Sequence, residues 1–371
     1  MTAPFIAAGP TNGYLPVATG QVIAFVRKPK NFKTLNAIVQ YTPSDLPTGV
    51  YARLDRDNGV RISNEDQFLW ADGADLPSTA YFTSRFTTAN FATVRRAYGW
   101  QVGGQAERNA RLWKPKLTTM MESTSLAMTL RLTRLMRLLE TAGTWNGNTA
   151  TATVLGGGKW NAGTVANPYF SIGLLNAAAV INTGTNGLME IGDMACVLNR
   201  DDAIKISRTP EILDFMKGSV WTKQMLEDPF SRVNVGWGLP DRYIGMKLVV
   251  STEPKVSETM NATGNEATTN RGLIKASGSA VIVCEPGTME TDLSDRSYST
   301  VQIMHYAGVK ASSEKSTGEG NGTRTENGGA GLLEVKARYD PWNEKYEGSN
   351  VEQLAEVVAA PMSGYLVTAI V

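Results

Sequence analysis

The sequence predicts an α+β fold from two observations. The stretch from Lys114 to Ala142 has the periodicity of one long helix, about 43 Å at 1.5 Å per residue, and we call it the spine helix. Beyond residue 168 the pattern is one helix, one strand and two helices, followed by five further strands. This order of helices and strands is typical of a mixed α+β domain.

Length and charge narrow the possible functions. The chain has 371 residues, which indicates two lobes or one domain with long extensions. Hydrophobic residues make up 42% and charged residues 19%, as is usual for a globular protein. Because 36 Lys and Arg residues nearly balance 35 Asp and Glu residues, no overall charge would attract nucleic acid or an anionic membrane. Any such contact is therefore expected to be local.

Two sequence features bear on the compartment. The N-terminus lacks the basic segment and apolar core of a signal peptide, and no run of about 18 apolar residues occurs. We therefore expect a protein that is neither secreted by a signal peptide nor membrane-spanning. Cys196 and Cys284 each lie in an apolar run, which predicts buried reduced thiols rather than a disulfide or metal pair, and hence a reducing compartment.

The first segment, residues 1–46, is rich in Gly, Pro, Thr and Asn and carries only short extended runs. Such a segment buries little by itself, so we predict an N-terminal arm that lies over other parts of the protein. Its cations could contact nucleic acid or form a solvated surface, and the lack of a helix or interleaved aromatic residues favours the solvated surface. These cations are Arg27, Lys28, Lys30 and Lys33.

The second segment, residues 47–102, alternates in strand fashion around turn residues such as Asp57-Asn58-Gly59 and predicts a long β-hairpin. Its charges between Arg53 and Asp66 are too many to pack inwards. Its large apolar residues are nevertheless too many for an idle loop, and they include Phe68, Leu69, Trp70, Tyr81 and Phe82. A contact with another molecule would satisfy both facts.

The spine helix, residues 114–142, lies in a segment of residues 103–170. Its core-facing stripe consists of Leu117, Met121, Thr124, Met128, Leu132, Leu135 and Leu139. Pro115 suits the first turn, and Gly143 is expected to provide a left-handed cap. Arg131, Arg134 and Arg137 share a second face, which we expect to meet water or a partner. Leu126 and Leu130 form a third sector, so the helix should be covered from two sides.

The sequence after the spine helix predicts a succession of short helices and strands. A Gly-rich stretch that includes residues 156–159 reads as a flexible connection, and it does not have the spacing of a phosphate-binding loop. Helices are expected at 169–181, 201–207 and 210–217, the second capped by Asn199, and a buried strand at 194–198. Further strands are expected at 244–251, 280–285, 299–306, 332–339 and 364–371. Residues 256–272 and 311–330 are polar and are expected to form exposed loops.

Catalytic chemistry is not evident in the sequence. His305 is the sole histidine and lies in an apolar extended run, which favours a satisfied strand residue over a metal ligand. The acidic pairs Asp201-Asp202 and Glu285 with Glu290 are more typical of capping than of catalysis. We therefore predict no catalytic, cofactor-binding or metal-binding residue, no cofactor and no enzyme. A carboxylate-dependent hydrolase remains the alternative from another class, because such sites leave little trace in sequence.

The order of arm, hairpin, spine helix and mixed domain resembles the major capsid proteins of tailed phages, whose Hong Kong ninety-seven type fold is shared with encapsulins. The similarity spans about residues 45–371. Its closest local matches are the stretch LLNAAAVINTGTNGLMEIGDMACVLNRDDAIKISRTPEILDFMKGS with the following GLPDRYIGMKLVVS, and AYGWQVGGQAERNARLWKPKL before the spine helix.

The resemblance implies a division of the chain: an arm (1–46), an extended loop (47–102), a peripheral domain with the spine helix (103–170), an axial domain (171–330) and C-terminal strands that return to the peripheral domain (331–371). It implies a non-enzymatic protein that self-assembles as hexamers and pentamers into an icosahedral shell around double-stranded DNA. An encapsulin-like compartment with protein cargo is the alternative within the same fold.

The resemblance also implies partners and a location. The expected partners are further copies of the chain, a separate scaffolding protein, a portal, cement or decoration proteins, and DNA held by non-specific contact. The expected location is a virion that is assembled in the host cytoplasm, without a membrane. About 45 residues before the hairpin are too few for the cleavable scaffolding domain of some relatives, and Met1 favours a separate scaffold. Some relatives link their subunits through a lysine on the extended loop, but no lysine occurs between Thr34 and Trp113.

Overall fold

A computed structural model of the chain describes residues 13–14, 32–44, 46–53, 87–109, 114–185, 187, 189–218, 237–260, 266–286, 289–290, 297–306, 334–340 and 342–371. Its helices are α1 Lys33–Ile38, α2 Gly104–Asn109, the spine helix α3 Pro115–Leu139, α4 Ala152–Gly156, α5 Tyr169–Gly184, α6 Arg200–Ser207 and α7 Pro210–Gly218. Short 3-10 helices lie at Ala142–Trp145, Trp160–Ala162, Ile191–Asp193 and Pro361–Ser363. The predicted α+β class is confirmed.

Two six-stranded sheets organise the chain. Sheet one contains β1 Gly13–Tyr14, β2 Val39–Ser44, β5 Val94–Gly103, β15 Val301–Tyr306, β16 Glu334–Asp340 and β17 Lys345–Val358. Sheet two contains β6 Thr149–Thr151, β7 Met194–Asn199, β8 Arg242–Tyr243, β9 Met246–Ser251, β12 Ser279–Cys284 and β18 Tyr365–Thr368. Three two-stranded pairs are not hydrogen-bonded to either sheet within the described residues: β3 Thr48–Arg53 with β4 Thr87–Ala92, β10 Pro254–Met260 with β11 Glu266–Leu273, and β13 Met289–Glu290 with β14 Ser297–Tyr298.

Strand β17 is the longest strand described and is the centre of sheet one. It pairs antiparallel with β5, β15 and β16, whereas β15 also pairs in parallel with β2. This strand was not predicted from the sequence, because its polar residues disrupt a simple alternation; they include Lys345, Glu347, Asn350 and Glu352. Two of these polar residues contact the spine helix, which explains why a buried strand contains them.

The faces of sheet two separate two hydrophobic cores. Ala195, Val197, Val249, Val281 and Val283 face the spine helix and α1, whereas the alternating neighbours Cys196, Leu198, Val250, Ile282 and Cys284 face α5 and α6. This alternation follows from the period of two along a strand. Because both faces are covered, every residue of β7 is buried.

Several predicted elements are confirmed with small shifts in their ends. The spine helix starts with Pro115 at its first position, and the Asn199 side chain accepts a hydrogen bond from the Asp201 backbone at the start of α6. The predicted strands near 194–198, 244–251, 280–285, 299–306, 332–339 and 364–371 correspond to β7, β9, β12, β15, β16 and β18.

Other expectations were wrong. Gly143 is not a left-handed cap, because the residue after the helix is Glu140 in right-handed conformation and Gly143 lies in a 3-10 helix. The predicted flexible connection instead contains β6, α4 and a 3-10 helix whose Trp160 is fully buried. Most of residues 256–272, predicted as a loop, belongs to the hairpin β10–β11. Residues 311–330 and the middle of the predicted hairpin, 54–86, lie outside the described residues.

Candidate functional site

The residues considered for catalysis are dispersed. His305 lies on β15, where burial lowers its pKa from 6.5 to about 4, and its Nδ1 has no hydrogen-bond partner within the described part of the chain. It is therefore a strand residue as predicted, although one ring nitrogen is not satisfied there. Cys196 and Cys284 are buried and are not joined in a disulfide, and burial raises the pKa of Cys196 to about 12. Cys196 therefore lacks the low pKa of a nucleophilic thiol.

The acidic residues have structural partners. Asp202 accepts hydrogen bonds from Ser277 Oγ (2.6 Å) and the Gly278 backbone (2.7 Å). Glu285 forms ion pairs with Arg242 and Lys247 at 3.1 and 2.8 Å. Across the residues that the structure describes, no three His, Cys, Asp or Glu side chains are grouped closely enough to hold a metal ion. The side chain of Glu290 lies outside the described residues.

One buried carboxylate, Glu211, was not singled out from the sequence. It accepts hydrogen bonds from the Phe170 and Ser171 backbones, from Ser171 Oγ, and from Tyr243 at 3.0 Å. The first two donors belong to the first turn of α5, where backbone N–H groups have no helical acceptor. Glu211 therefore caps α5 from the start of α7. No local motif could reveal this, because the two helices meet only in the tertiary structure.

The inner face of the spine helix holds a buried charge cluster. Arg131 and Glu352 have fully buried side chains and are joined by hydrogen bonds of 2.6 and 3.2 Å. Glu352 also accepts from Arg134 (2.9 Å) and from the Tyr98 hydroxyl (2.8 Å). Burial alone would raise the pKa of Glu352, but the arginines hold it below its usual range. Arg134 also pairs with Glu356 at 2.8 Å.

This cluster corrects the prediction that all three arginines of the spine helix face water or a partner. Arg131 is buried and Arg134 is mostly buried, and only Arg137 is exposed. Helical spacing alone could not distinguish these positions, because the acids that neutralise the arginines lie more than 200 residues away on β17. The cluster joins the spine helix to sheet one.

The C-terminal end of the spine helix is held by a second buried ion pair. Lys275 Nζ, fully buried, donates to Glu140 Oε1 at 2.8 Å and to Ser279 Oγ at 2.6 Å. Burial lowers the pKa of Lys275, and Glu140 opposes that effect. The pair connects the spine helix to the segment before β12, and hence to sheet two. The long helix is thus fixed to both sheets.

The opposite face of the spine helix is exposed. We define the outward stripe as Glu122, Leu126, Leu130, Thr133 and Arg137, which fall within about 80° of one another at 100° per residue. Leu126 is 53% exposed and Leu130 is 40% exposed. The predicted third sector is therefore real, but the described part of this chain leaves both leucines open to solvent. The two leucines lie one turn apart and form a small exposed apolar patch on this face of the helix.

The base of the predicted hairpin is the ribbon β3–β4, and among the described strands these two pair only with each other. Tyr51 and Phe91, with ring centroids 6.5 Å apart, pack against Met304, Ala355 and Val357 of sheet one. The other side of the ribbon includes Val50, which is 61% exposed. The aromatic residues predicted to make an outside contact, from Phe68 to Phe82, lie beyond the described ribbon.

A third exposed apolar site is Trp342, which is 93% exposed at the turn between β16 and β17. Asp340 Oδ1 accepts from the Trp342 backbone at 3.1 Å, and Asn343 Nδ2 donates to Asp340 Oδ2 at 2.7 Å. The Glu344 carbonyl accepts from the Gly104 backbone at 2.6 Å. The Glu344 bond links the end of the turn to the start of α2, and the indole itself remains exposed.

Of the cations in the predicted arm, only Lys33 lies within the described residues, and it is exposed at the start of α1. The helix itself is firmly attached. Glu253 accepts hydrogen bonds from the Thr34 backbone (3.2 Å) and hydroxyl (2.9 Å), and Leu35 and Ile38 are fully buried. The end of the arm is thus part of the core around the spine helix. None of the helices in the described ranges has the length and apolar character needed to cross a membrane.

Comparison with known proteins bears on the fold. No family model matches the sequence, and neither does any curated protein. The structure is similar to a phage-related protein from Bordetella bronchiseptica, with a TM-score of 0.56 and 10% identity, over 97% of this chain and 98% of that one.

Two further solved structures are less similar. The capsid of cyanophage P-SCSP1u has a TM-score of 0.48 and 10% identity, over 90% of this chain and 86% of that one. A virus-like particle from Pyrococcus furiosus has a TM-score of 0.45 and 9% identity, over 95% and 96%. The predicted fold is confirmed, and this chain shares it from end to end with a solved protein.

Proposed function

We propose that this chain, which has the fold of a phage-related protein over almost its whole length, is the major capsid protein of a tailed phage. It assembles as hexamers and pentamers into an icosahedral shell that encloses a double-stranded DNA genome. The observation that carries the proposal is the shared fold, because it is the one that the sequence resemblance to phage capsid proteins predicts. At this identity a fold does not define a function, so the surfaces of the chain have to support the assignment.

The exposed apolar side chains support assembly. Leu130 of the spine helix, Val50 of the ribbon and Trp342 of the β16–β17 turn lie on three separate elements, and each is 40% exposed or more. A closed shell needs contacts on several sides of each subunit, whereas a dimer needs a contact on one side only. Both sheets pack against the spine helix in one hydrophobic core, which forms the framework that carries these side chains.

The proposed domains follow the chain order given above. The peripheral domain is built around the spine helix and sheet one, and the axial domain around α5, α6, α7 and sheet two. The sheets exchange strands across the boundary near residue 330, since β15 joins sheet one and β18 joins sheet two. We therefore propose domains that are interlocked by the chain and not independent folding units.

The proposed function is structural and not enzymatic. The buried carboxylates Asp202, Glu211 and Glu352 are each bound by donors of the protein itself, which favours a structural role for them. We propose a separate scaffolding protein, a portal and cement or decoration proteins as partners. Packaged DNA would be held by non-specific contacts inside a virion assembled in the host cytoplasm.

The test is co-expression of the chain with the scaffolding protein encoded beside its gene, followed by sedimentation and negative-stain microscopy. We expect closed particles of megadalton mass with pentameric and hexameric units. Monomers or dimers alone would contradict the proposal and would favour the enzyme alternative. Closed particles that contain a protein cargo, with a cargo gene in place of terminase and portal genes nearby, would favour the encapsulin alternative.

A further inference from the structure

We infer that the outward stripe of the spine helix binds the same stripe of a second copy of this chain, antiparallel and across a two-fold axis. The inference rests on the proposed function, since it names one contact of the proposed shell. Its starting point is the combination of two exposed leucines with one acid and one base at opposite ends of the stripe.

The charges of the stripe are available for a partner. Glu122 and Arg137 are both exposed, and neither forms an ion pair within the described residues. They lie fifteen positions apart on the helix, which corresponds to about 22 Å along its axis. The helix dipole accounts for Arg137 in the last turn, but Glu122 lies beyond the first turn, so the dipole explains neither this acid nor the exposed leucines.

The order of these residues is self-complementary in one orientation only. When two copies lie antiparallel about a point between Thr129 and Leu130, Glu122 of each faces Arg137 of the other. Leu130 then lies next to the axis, and Leu126 faces Thr133 of the second copy. A parallel arrangement would instead bring Glu122 against Glu122 and Arg137 against Arg137. The charge pattern therefore selects the antiparallel pair, which is the symmetric kind of contact that a two-fold axis creates.

The contact is small. A single helix pair buries less than the roughly 1,200 Å² of a stable protein interface, so it should form within a particle and not as a free dimer. In a shell each such contact adds to others that hold the same subunits, and weak contacts become sufficient. The test must therefore use assembled particles.

The first experiment is cysteine cross-linking with Leu130→Cys. Packed helices lie about 8–10 Å apart, which brings the two Cα atoms beside the axis to roughly 4–6 Å, within the range of a disulfide. We expect oxidised particles to yield linked dimers on a denaturing gel without reductant. The native Cys196 and Cys284 are buried and should not react. Thr118→Cys is the matched control, because it is exposed on the same helix but its two copies would lie about 34 Å apart.

The second experiment exchanges the charges. Glu122→Arg and Arg137→Glu each place like charges together, and each should reduce particle yield about fivefold at low salt, since two symmetric pairs are affected. The double variant E122R/R137E restores opposite charges and should recover the yield. If Arg137 serves only its own helix, the double variant should not recover the yield, because it still places an acid in the last turn against the helix dipole.

The outcomes separate the inference from the proposed function. If the unmodified chain forms particles but Leu130→Cys gives no linked dimers, or the double variant fails to recover the yield, the stripe has another occupant, such as the arm of its own chain, and the inference is wrong. If the unmodified chain forms no particles, the proposed function fails and the inference fails with it.

Discussion

Replacing Glu352 with Gln would leave the buried guanidinium of Arg131 without its counter-charge. Both side chains are fully buried, and the shortest bond between them is 2.6 Å. Removing one partner of a buried ion pair typically costs about 3–5 kcal/mol, mainly because the remaining charge stays buried. A domain is usually stable by about 5–15 kcal/mol, so this loss is a large fraction of the total. We therefore expect Glu352→Gln to lower the free energy of unfolding by about 3 kcal/mol or more.

A matched control is Glu356→Gln. Glu356 pairs with Arg134, whose side chain is 23% exposed and retains its bond to Glu352. Since that arginine keeps a counter-charge and reaches solvent, we expect a loss of about 1 kcal/mol or less. Adding Arg131→Met to Glu352→Gln should recover part of the lost stability, because no unpaired charge then remains buried.

The assay is urea unfolding followed by tryptophan fluorescence. Trp145 and Trp160 are fully buried and lie in different cores, so the signal reports on the whole body. The lowered pKa of Glu352 also fixes a pH dependence. The stability that ionised Glu352 contributes is fully present above the pKa of an unfolded glutamate, near 4.3. It is lost as the pH falls through the lower pKa that Glu352 has in the folded protein. A Glu352→Gln variant within 1 kcal/mol of the unmodified chain at neutral pH would refute the proposed role of the cluster.

Four further predictions concern the core of the spine helix, the hairpin, covalent links between subunits and His305. Met128→Asp should abolish folding, because it places a carboxylate in the middle of the buried stripe at a cost of several kcal/mol; soluble protein with native circular dichroism would contradict this. Replacing residues 55–85 with a Gly/Ser linker should leave thermal unfolding of the body nearly unchanged but eliminate particles on sedimentation, because a two-stranded ribbon adds little stability to its own subunit. Normal particles from that variant would disprove the proposed role of the hairpin. Because the loop has no lysine, mature particles should dissolve into single chains on a denaturing gel, and a ladder of linked chains would be inconsistent with this expectation. His305→Gln should make the protein more resistant to acid. Because the pKa of His305 is about 4 in the folded protein and 6.5 in the unfolded chain, the unmodified protein loses up to about 3 kcal/mol of stability as the pH falls through that range. Urea unfolding of both proteins at pH 7 and pH 4.5 measures the difference, and an equal loss of unfolding free energy in both would contradict the lowered pKa of His305.

The sequence alone was sufficient for elements whose signal is local. The spine helix, the cap at Asn199 and the buried strand β7 each depend on a periodicity or on a residue pair a few positions apart. The exposed leucines of the outward stripe could be predicted as a separate sector for the same reason. In each case the physical cause, which is a helical or strand period or a capping hydrogen bond, acts within one element.

Other features became clear only in the tertiary structure. Strand β17 has polar residues at buried positions, because Asn350 and Glu352 reach the spine helix instead of solvent. Arg131 and Arg137 are both arginines of the spine helix, yet Arg131 is fully buried and Arg137 is exposed. The difference is set by Glu352, 221 positions further along the chain. A buried charge is stable only where a distant residue supplies its counter-charge, and pairing over that distance is decided by packing and not by any local pattern.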